Sequence, residues 1–204
     1  ILHYGTEAQK QKYLPKLATG EMVGAIAMSE PAAGSDLQGV KSTAVRQGDH
    51  YLLNGSKTFI TNGWHADLVI VVAKTNPAAG AKGTSLLLVE RGMPGFETGK
   101  RLKKVGLKAQ ADNLLGGAAQ ENRGFICLME QLPWERLQIA IGAVASAQAS
   151  IDGTCAYVKE RKVFGQAVAA YQNTRYKLAE MQTEVHIARV FVDQCTRSLL
   201  EGKL

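Results

Sequence analysis

No run of apolar residues in the sequence approaches the roughly 18 that a membrane-spanning helix needs, and the start, Ile1-Leu2-His3-Tyr4, lacks the charged-then-apolar form of a secretion signal. Cysteine is scarce. Cys127, Cys155 and Cys195 are odd in number, far apart and set among apolar residues, which fits buried free thiols and argues against a disulfide framework. No spacing of His, Cys, Asp or Glu suggests a metal site. Aromatic and basic residues do not interleave on any one stretch, so a surface for stacking and neutralising nucleic acid is not expected. These absences lead to the expectation of a soluble, intracellular protein.

What the sequence holds is ordinary for a globular chain: 204 residues, 46% hydrophobic and 21% charged, enough for one or two cores. Lys and Arg number 24 against 18 Asp and Glu, a formal charge of +6 that favours anionic ligands without identifying one. Much of the excess lies in Lys100, Arg101, Lys103, Lys104 and Lys108, a patch that suits a solvated strand edge as well as a polyanionic ligand.

Residues 6–19 are rich in helix formers, with Tyr13, Leu14 and Leu17 near helical spacing and Gly20 as a stop; Pro15 predicts a kink or a break. From Met22 to about Lys104 the pattern changes to short β runs: Met22–Met28, Gly39–Arg46, Tyr51–Leu53, Lys57–Thr61, Leu68–Ala73 and Thr84–Val89. Asn54-Gly55 reads as a two-residue hairpin turn and Gln47-Gly48-Asp49 as another. Consecutive hairpins without intervening helices predict an antiparallel barrel or sandwich. Asn76-Pro77-Ala78-Ala79-Gly80 reads as an exposed loop. After Leu132-Pro133 the pattern becomes helical over 134–160, pauses at the charged, Gly-containing turn Arg161–Ala167, and resumes from about Ala169 to Leu200. In that last helix Leu178, Met181, Val185, Ala188, Val192, Cys195 and Leu199 recur at alternating steps of three and four, the seam of a helical bundle.

One stretch organises the rest: Ala27-Met28-Ser29-Glu30-Pro31-Ala32-Ala33-Gly34-Ser35-Asp36, where an apolar strand runs into a loop of small residues. Pro31 fixes one dihedral, Ala32, Ala33 and Gly34 carry little or no side chain, and Ser29 and Ser35 add hydroxyls, so a flat ligand can lie against the backbone. A flavin or a phosphate fits such a loop; so does a plain Ser/Gly turn.

Ala27-Met28-Ser29-Glu30-Pro31, followed by Gly34-Ser35-Asp36 and Gly39, resembles the first signature of the acyl-CoA dehydrogenase family. Phe59-Ile60-Thr61-Asn62-Gly63, Gly106-Leu107-Lys108, Glu135-Arg136-Leu137 and Arg161-Lys162-Val163-Phe164-Gly165-Gln166 follow in family order, across nearly the whole chain. The pair Glu135-Arg136 has the form carried by the long-chain and isovaleryl branch. The resemblance implies an α+β fold: residues 1–20 as the end of an N-terminal helical domain, 21–117 as a middle antiparallel β-barrel or sandwich domain, and 118–204 as part of a C-terminal four-helix bundle. It also implies a further strand and loop of a dozen or so residues between Lys108-Ala109-Gln110 and Asp112-Asn113, which this sequence lacks. Of a sheet one strand short and a segment missing near 110–112, the second is the expectation.

The family reaction takes the α-proton of a fatty acyl-CoA onto a carboxylate while a hydride leaves the β-carbon for FAD. By resemblance Glu135 is the base, and Arg136 and Ser35 lie on the substrate side. Ile26, Met28, Ser29, Gly34, Ser35, Phe59, Ile60 and Thr61 line the flavin, while Arg161, Phe164 and Gln172 reach the FAD of a neighbouring subunit. Read from the residues alone, Glu135 follows Pro133 and falls in the first turn of a helix, where the helix dipole favours its charged form and an apolar tunnel would oppose that. The implied partners are an acyl-CoA substrate, an electron-transfer flavoprotein and further copies of the chain in a tetramer, with neither nucleic acid nor membrane. The setting is fatty acid β-oxidation in the cytoplasm, or in the mitochondrial matrix of a eukaryote. An acyl-CoA oxidase and a nucleic-acid-associated flavoprotein of the same fold are the alternatives.

Overall fold

The structure is a computed structural model that describes residues 1–98 and 107–203. The basic residues Lys100, Arg101, Lys103 and Lys104, and Gly106 of the Gly106-Leu107-Lys108 motif, lie outside the described residues. Two compact units are present, Ile1–Met129 and Glu130–Leu204.

The first unit begins with helix α1, Glu7–Thr19, whose start is a reciprocal cap: Thr6 Oγ1 accepts from Gln9 N at 3.2 Å and Gln9 Oε1 accepts from Thr6 N at 3.1 Å. Gly20, at φ 79, ends it. The helix runs unbroken through Pro15, contrary to the break its sequence predicts; the tertiary docking of its buried face outweighs one lost hydrogen bond. Tyr13 is central to that docking, packing among Leu68, Val72 and Leu88 while its hydroxyl donates to Glu90 Oε1 at 2.7 Å.

Among the described residues a curled six-stranded sheet follows, of β1 (Gly24–Ala27), β2 (Thr43–Gln47), β3 (His50–Asn54), β4 (Leu68–Lys74), β5 (Thr84–Glu90) and β6 (Leu107–Gln110). The path is β1-β4-β2-β3-β6, with β5 on the other side of β4. The β2–β3, β3–β6 and β4–β5 ladders are antiparallel, whereas β1 runs parallel to β4 and Thr43 of β2 meets Lys74 in parallel. Both faces of β4 and β5 are buried. Val69, Val71, Ala73, Leu87 and Val89 point into one cluster with Ala44, Tyr51 and Ala109; Leu68, Val72, Leu86 and Leu88 point into another with Tyr13, Cys127 and Leu128.

The Gly48-Asp49 turn forms as predicted, Gln47 pairing with His50 and Gly48 taking φ 62. Asn54-Gly55 does not turn a hairpin. Gly55 instead packs on Ser42, where a Cβ would collide with the Ser42 side chain, and residues 57–61 are a loop rather than a strand. Strand β2 begins only at Thr43, because Asp36 caps a short 3-10 turn over Leu37–Gly39. A 3-10 turn also occupies Pro77–Gly83, where the sequence reads as an exposed loop.

The chain passes directly from β6 into a 3-10 turn, Ala111–Asn113, with Ala111 N donating to Asp49 O at 2.8 Å. The following residues meet the outer edge of β5: Leu115 N donates to Leu86 O at 2.8 Å and Asn113 Nδ2 to Leu88 O at 2.9 Å.

Helix α2 spans Gly124–Glu160 and helix α3 Gln172–Leu200. The first therefore starts ten residues before the sequence-based boundary at 134, and Pro133 sits inside it. In the second unit Leu137 and Val144 of α2 pack with Val185, Ala188, Val192, Cys195 and Leu199 of α3, the predicted seam. Leu178, half-buried, and Met181, at 39% exposure, are not in that cluster. The helices are joined by a small hairpin, β7 (Lys162–Val163) and β8 (Gln166–Ala167), in place of an irregular turn. Cys127 is buried, Cys155 and Cys195 are half-buried, and all three are free thiols.

Candidate active site

The structure brings the two strand-end motifs of the first unit together. Thr58 N donates to Ser29 O at 2.9 Å, and Lys57 Nζ donates to Met28 O at 3.0 Å and to Glu30 Oε1 at 2.8 Å. Ile26 and Met28 pack half-buried at the end of β1, Ser29 and Ile60 are half-buried, and Gly34, Ser35, Phe59 and Thr61 are exposed. The loop after β1 is pinched by a reciprocal pair, Glu30 N to Ala33 O at 2.7 Å and Ala33 N to Glu30 O at 3.1 Å. Gly34 follows the pinch in open space, where a Cβ would meet nothing within 4 Å.

Glu30 and Lys57, which sequence reading passes over, are the interior of this arrangement. Their side chains are 5% and 10% exposed. Glu30 Oε2 accepts from Lys41 N at 2.6 Å, and Oε1 accepts from Ser42 N at 3.0 Å as well as from Lys57. Burial pushes the Glu30 carboxyl up, but the hydrogen bonds from Lys57, Ser42 and Lys41 outweigh it and hold its pKa at about 2. Burial lowers the Lys57 ammonium, and Glu30 opposes that shift. The sequence signal was faint: a carboxylate inside an otherwise small-residue loop needs a partner, and no neighbour supplies one.

Three features of this strand end fit a flat, ring-bearing cofactor. Phe59 is 98% exposed and held at φ 55, a left-handed conformation that a bulky side chain adopts only where its surroundings impose it. Thr58 Oγ1 is buried with no hydrogen-bond partner among the described residues. No described residue accepts from the Ser29 amide either. An aromatic face, a spare amide and adjoining hydroxyls are the donor set that an isoalloxazine ring takes.

The second unit holds the other predicted residues. Phe164 and Gly165 form the two-residue turn of the β7–β8 hairpin at φ 51 and φ 82, both positive as a type I′ turn requires. Phe164 is 94% exposed at the tip. Arg161 stands at the base, its carbonyl accepting from Val168 N at 2.8 Å, and Gln172 opens α3 with its Nε2 donating to Tyr176 Oη at 2.8 Å. Tyr171 Oη braces the hairpin through Val163 O at 2.9 Å. The structure thus gathers Arg161, Phe164 and Gln172 on one connection.

Glu135 and Arg136 are both exposed on α2. Because that helix begins at Gly124, Glu135 lies about three turns inside it and not in its first turn. The helix-dipole argument for its charge therefore fails, since that effect fades within the first turn.

Among the described residues no group of His, Cys, Asp and Glu is placed to hold a metal ion, and no helix is long and apolar enough to cross a membrane.

Fold and site together define a curled sheet on which two loops are tied together, joined in the chain to a pair of long packed helices. Three family models match: the acyl-CoA dehydrogenase N-terminal domain over residues 1–21, the middle domain over 25–114 and the C-terminal domain over 122–204. The chain is 50% identical to long-chain specific acyl-CoA dehydrogenase of Mus musculus over 96% of its own length and 48% of that protein's. It is 43% identical to isovaleryl-CoA dehydrogenase of Pongo abelii over 99% of its length and 51% of that protein's. Among solved structures, an acyl-CoA dehydrogenase from Geobacillus kaustophilus superposes with a TM-score of 0.91 at 47% identity, covering 100% of this chain and 57% of that one. The chain belongs to the acyl-CoA dehydrogenase family, and it spans about half the length of the curated relatives it matches.

Proposed function

We propose that the protein is an FAD-dependent acyl-CoA dehydrogenase that introduces an α,β double bond into an acyl-CoA thioester. The observation that carries this reading is the junction of the 27–36 and 57–61 loops, which presents a spare amide and an exposed, conformationally forced aromatic at one strand end. Family membership supplies the reaction class.

Ile26, Met28, Ser29, Gly34, Ser35, Phe59, Ile60 and Thr61 would hold the ring, its polar edge on the loop amides and hydroxyls and its face on Phe59. FAD, when bound, supplies the acceptor for the hydride from the β-carbon. Glu135 takes the α-proton, with Arg136 and Ser35 on the substrate side. Arg161, with a charged fork of donors, suits the pyrophosphate of an FAD held by a neighbouring copy, alongside Phe164 and Gln172. That sharing requires an oligomer, which we take to be a tetramer. An electron-transfer flavoprotein would receive the electrons, and the matched mitochondrial relatives support a matrix location in a eukaryote, a cytoplasmic one otherwise. We assign residues 1–20 to the end of an N-terminal helical domain, 21–117 to the middle domain and 118–204 to the start of the C-terminal bundle.

The test is anaerobic titration of the FAD-loaded protein with straight and branched acyl-CoAs. Flavin absorbance should bleach with the parent, and Glu135→Gln should bleach on the order of 10²- to 10⁴-fold more slowly, the usual worth of a positioned base. Equal rates would remove Glu135 from the mechanism.

A further inference from the structure

We propose that Glu30 and Lys57 are positioning residues for the cofactor: a buried ion pair that ties the loop after β1 to the loop over 57–61 and so aims the Ser29 amide and the Phe59 ring at the ligand. This rests on the reading of that strand end as a flavin site.

The argument is geometric. A trans peptide holds its carbonyl and its amide N–H in opposite directions. Lys57 Nζ captures Met28 O at 3.0 Å, so the N–H of the same peptide unit, that of Ser29, points away from the ammonium. The Ser29 carbonyl is in turn taken by Thr58 N at 2.9 Å, which fixes the residue immediately before Phe59. Lys57 itself is held by Glu30 at 2.8 Å, and Glu30 is anchored by the amides of Lys41 and Ser42 at 2.6 and 3.0 Å. The ammonium therefore sets the direction of the Ser29 amide, and the Thr58–Ser29 bond ties the residue before Phe59 to the next peptide along, between two segments that the ion pair joins across a sequence separation of 27 residues.

Stability alone does not account for the pair. A buried ion pair is commonly replaceable by apolar residues of similar size without loss of stability, whereas removal of one partner is costly because it strands the other. What an apolar pair cannot do is hold the Met28 carbonyl in a set direction. The charge pair is the element that converts a small-residue turn into a preorganised donor array.

The experiment compares Lys57→Met, the double variant Glu30→Gln/Lys57→Met, and Phe59→Ala in the flavin-stripped protein. Two readouts are taken: FAD affinity by quenching of flavin fluorescence, and the thermal midpoint without flavin. The expected result is FAD binding weakened at least tenfold in Lys57→Met and in the double variant, with the double variant's flavin-free midpoint returning close to the parent's. If Lys57→Met does not fold, the double variant carries the test. Parent-like FAD affinity in the double variant, alongside weakened binding in Phe59→Ala, overturns the positioning role and leaves the flavin site standing. A flavin-free midpoint in the double variant that falls in step with its FAD affinity makes the pair structural only. A parent that binds no FAD, or a Phe59→Ala variant that binds it as tightly as the parent does, removes the flavin reading and this inference with it.

Discussion

Gln9 Nε2 donates to Leu114 O at 2.8 Å, joining the first turn of α1 to a segment 105 residues later in the chain. The same side chain donates to Asp112 O at 2.8 Å and accepts from Gly116 N at 3.0 Å, so the amide is fully used although only 7% of the residue is exposed. Replacing it with Leu leaves two amides, of Thr6 and Gly116, and two carbonyls, of Asp112 and Leu114, without this partner. Gln9→Leu is expected to lower unfolding free energy by about 2–4 kcal/mol, measured by denaturant titration. A loss below about 1 kcal/mol would show that water replaces the amide freely.

Glu30 makes part of the stability pH-dependent. Its carboxyl titrates near 4.5 when exposed and at about 2 in the folded protein, a depressed value, so the folded state binds fewer protons in between. The contribution is complete above about pH 5 and is lost as the pH falls through about 2. Denaturation midpoints of the parent and of Glu30→Gln between pH 6 and pH 2 should therefore converge toward acid. Parallel curves would mean that the carboxyl is not perturbed.

Gly124 opens α2 against β5, and a Cβ there would stand 2.8 Å from the Ser85 carbonyl carbon. Backbone cannot yield as a side chain would. Gly124→Ala is expected to cost about 1–3 kcal/mol despite alanine's better helix propensity, read as a lowered thermal midpoint. The neighbouring contacts, Asn122 N to Ser85 Oγ at 2.7 Å and Thr75 Oγ1 to Asn122 Oδ1 at 2.7 Å, leave little slack.

Phe164 bears a left-handed conformation while 94% exposed, so it costs the hairpin stability and gains none from burial. Phe164→Gly should raise the stability of the flavin-free protein by about 1 kcal/mol while weakening FAD retention in the assembled oligomer. If the glycine variant is destabilised, the ring is a packing residue and not one held for a ligand.

Legibility followed the range of the forces involved. β4 and β5 were readable because both faces are apolar, and the α3 stripe because Val185, Val192 and Leu199 repeat at bundle spacing. Residues 57–61 were not: Thr58, Phe59 and Ile60 have strand propensity, yet Phe59 and Asn62 are left-handed in a loop whose Lys57 is tied to a carboxylate 27 residues away in sequence. Pro133 misled for a different reason. Proline favours the first turn of a helix, so it reads as a start, while the true start upstream is held by Cys127 and Leu128 packing against the sheet. Glu30 stood in plain view within its motif, but nothing local says that an acid there is buried.

The segment 113–115 also acts as a guard. By occupying the outer rim of β5 it denies that hydrophobic strand to any other polypeptide seeking a template, and Asn113 does so with a side-chain amide where a neighbouring backbone would otherwise add on. A nascent chain whose α1 has not yet docked would leave that guard unsecured, making self-association during refolding sensitive to concentration.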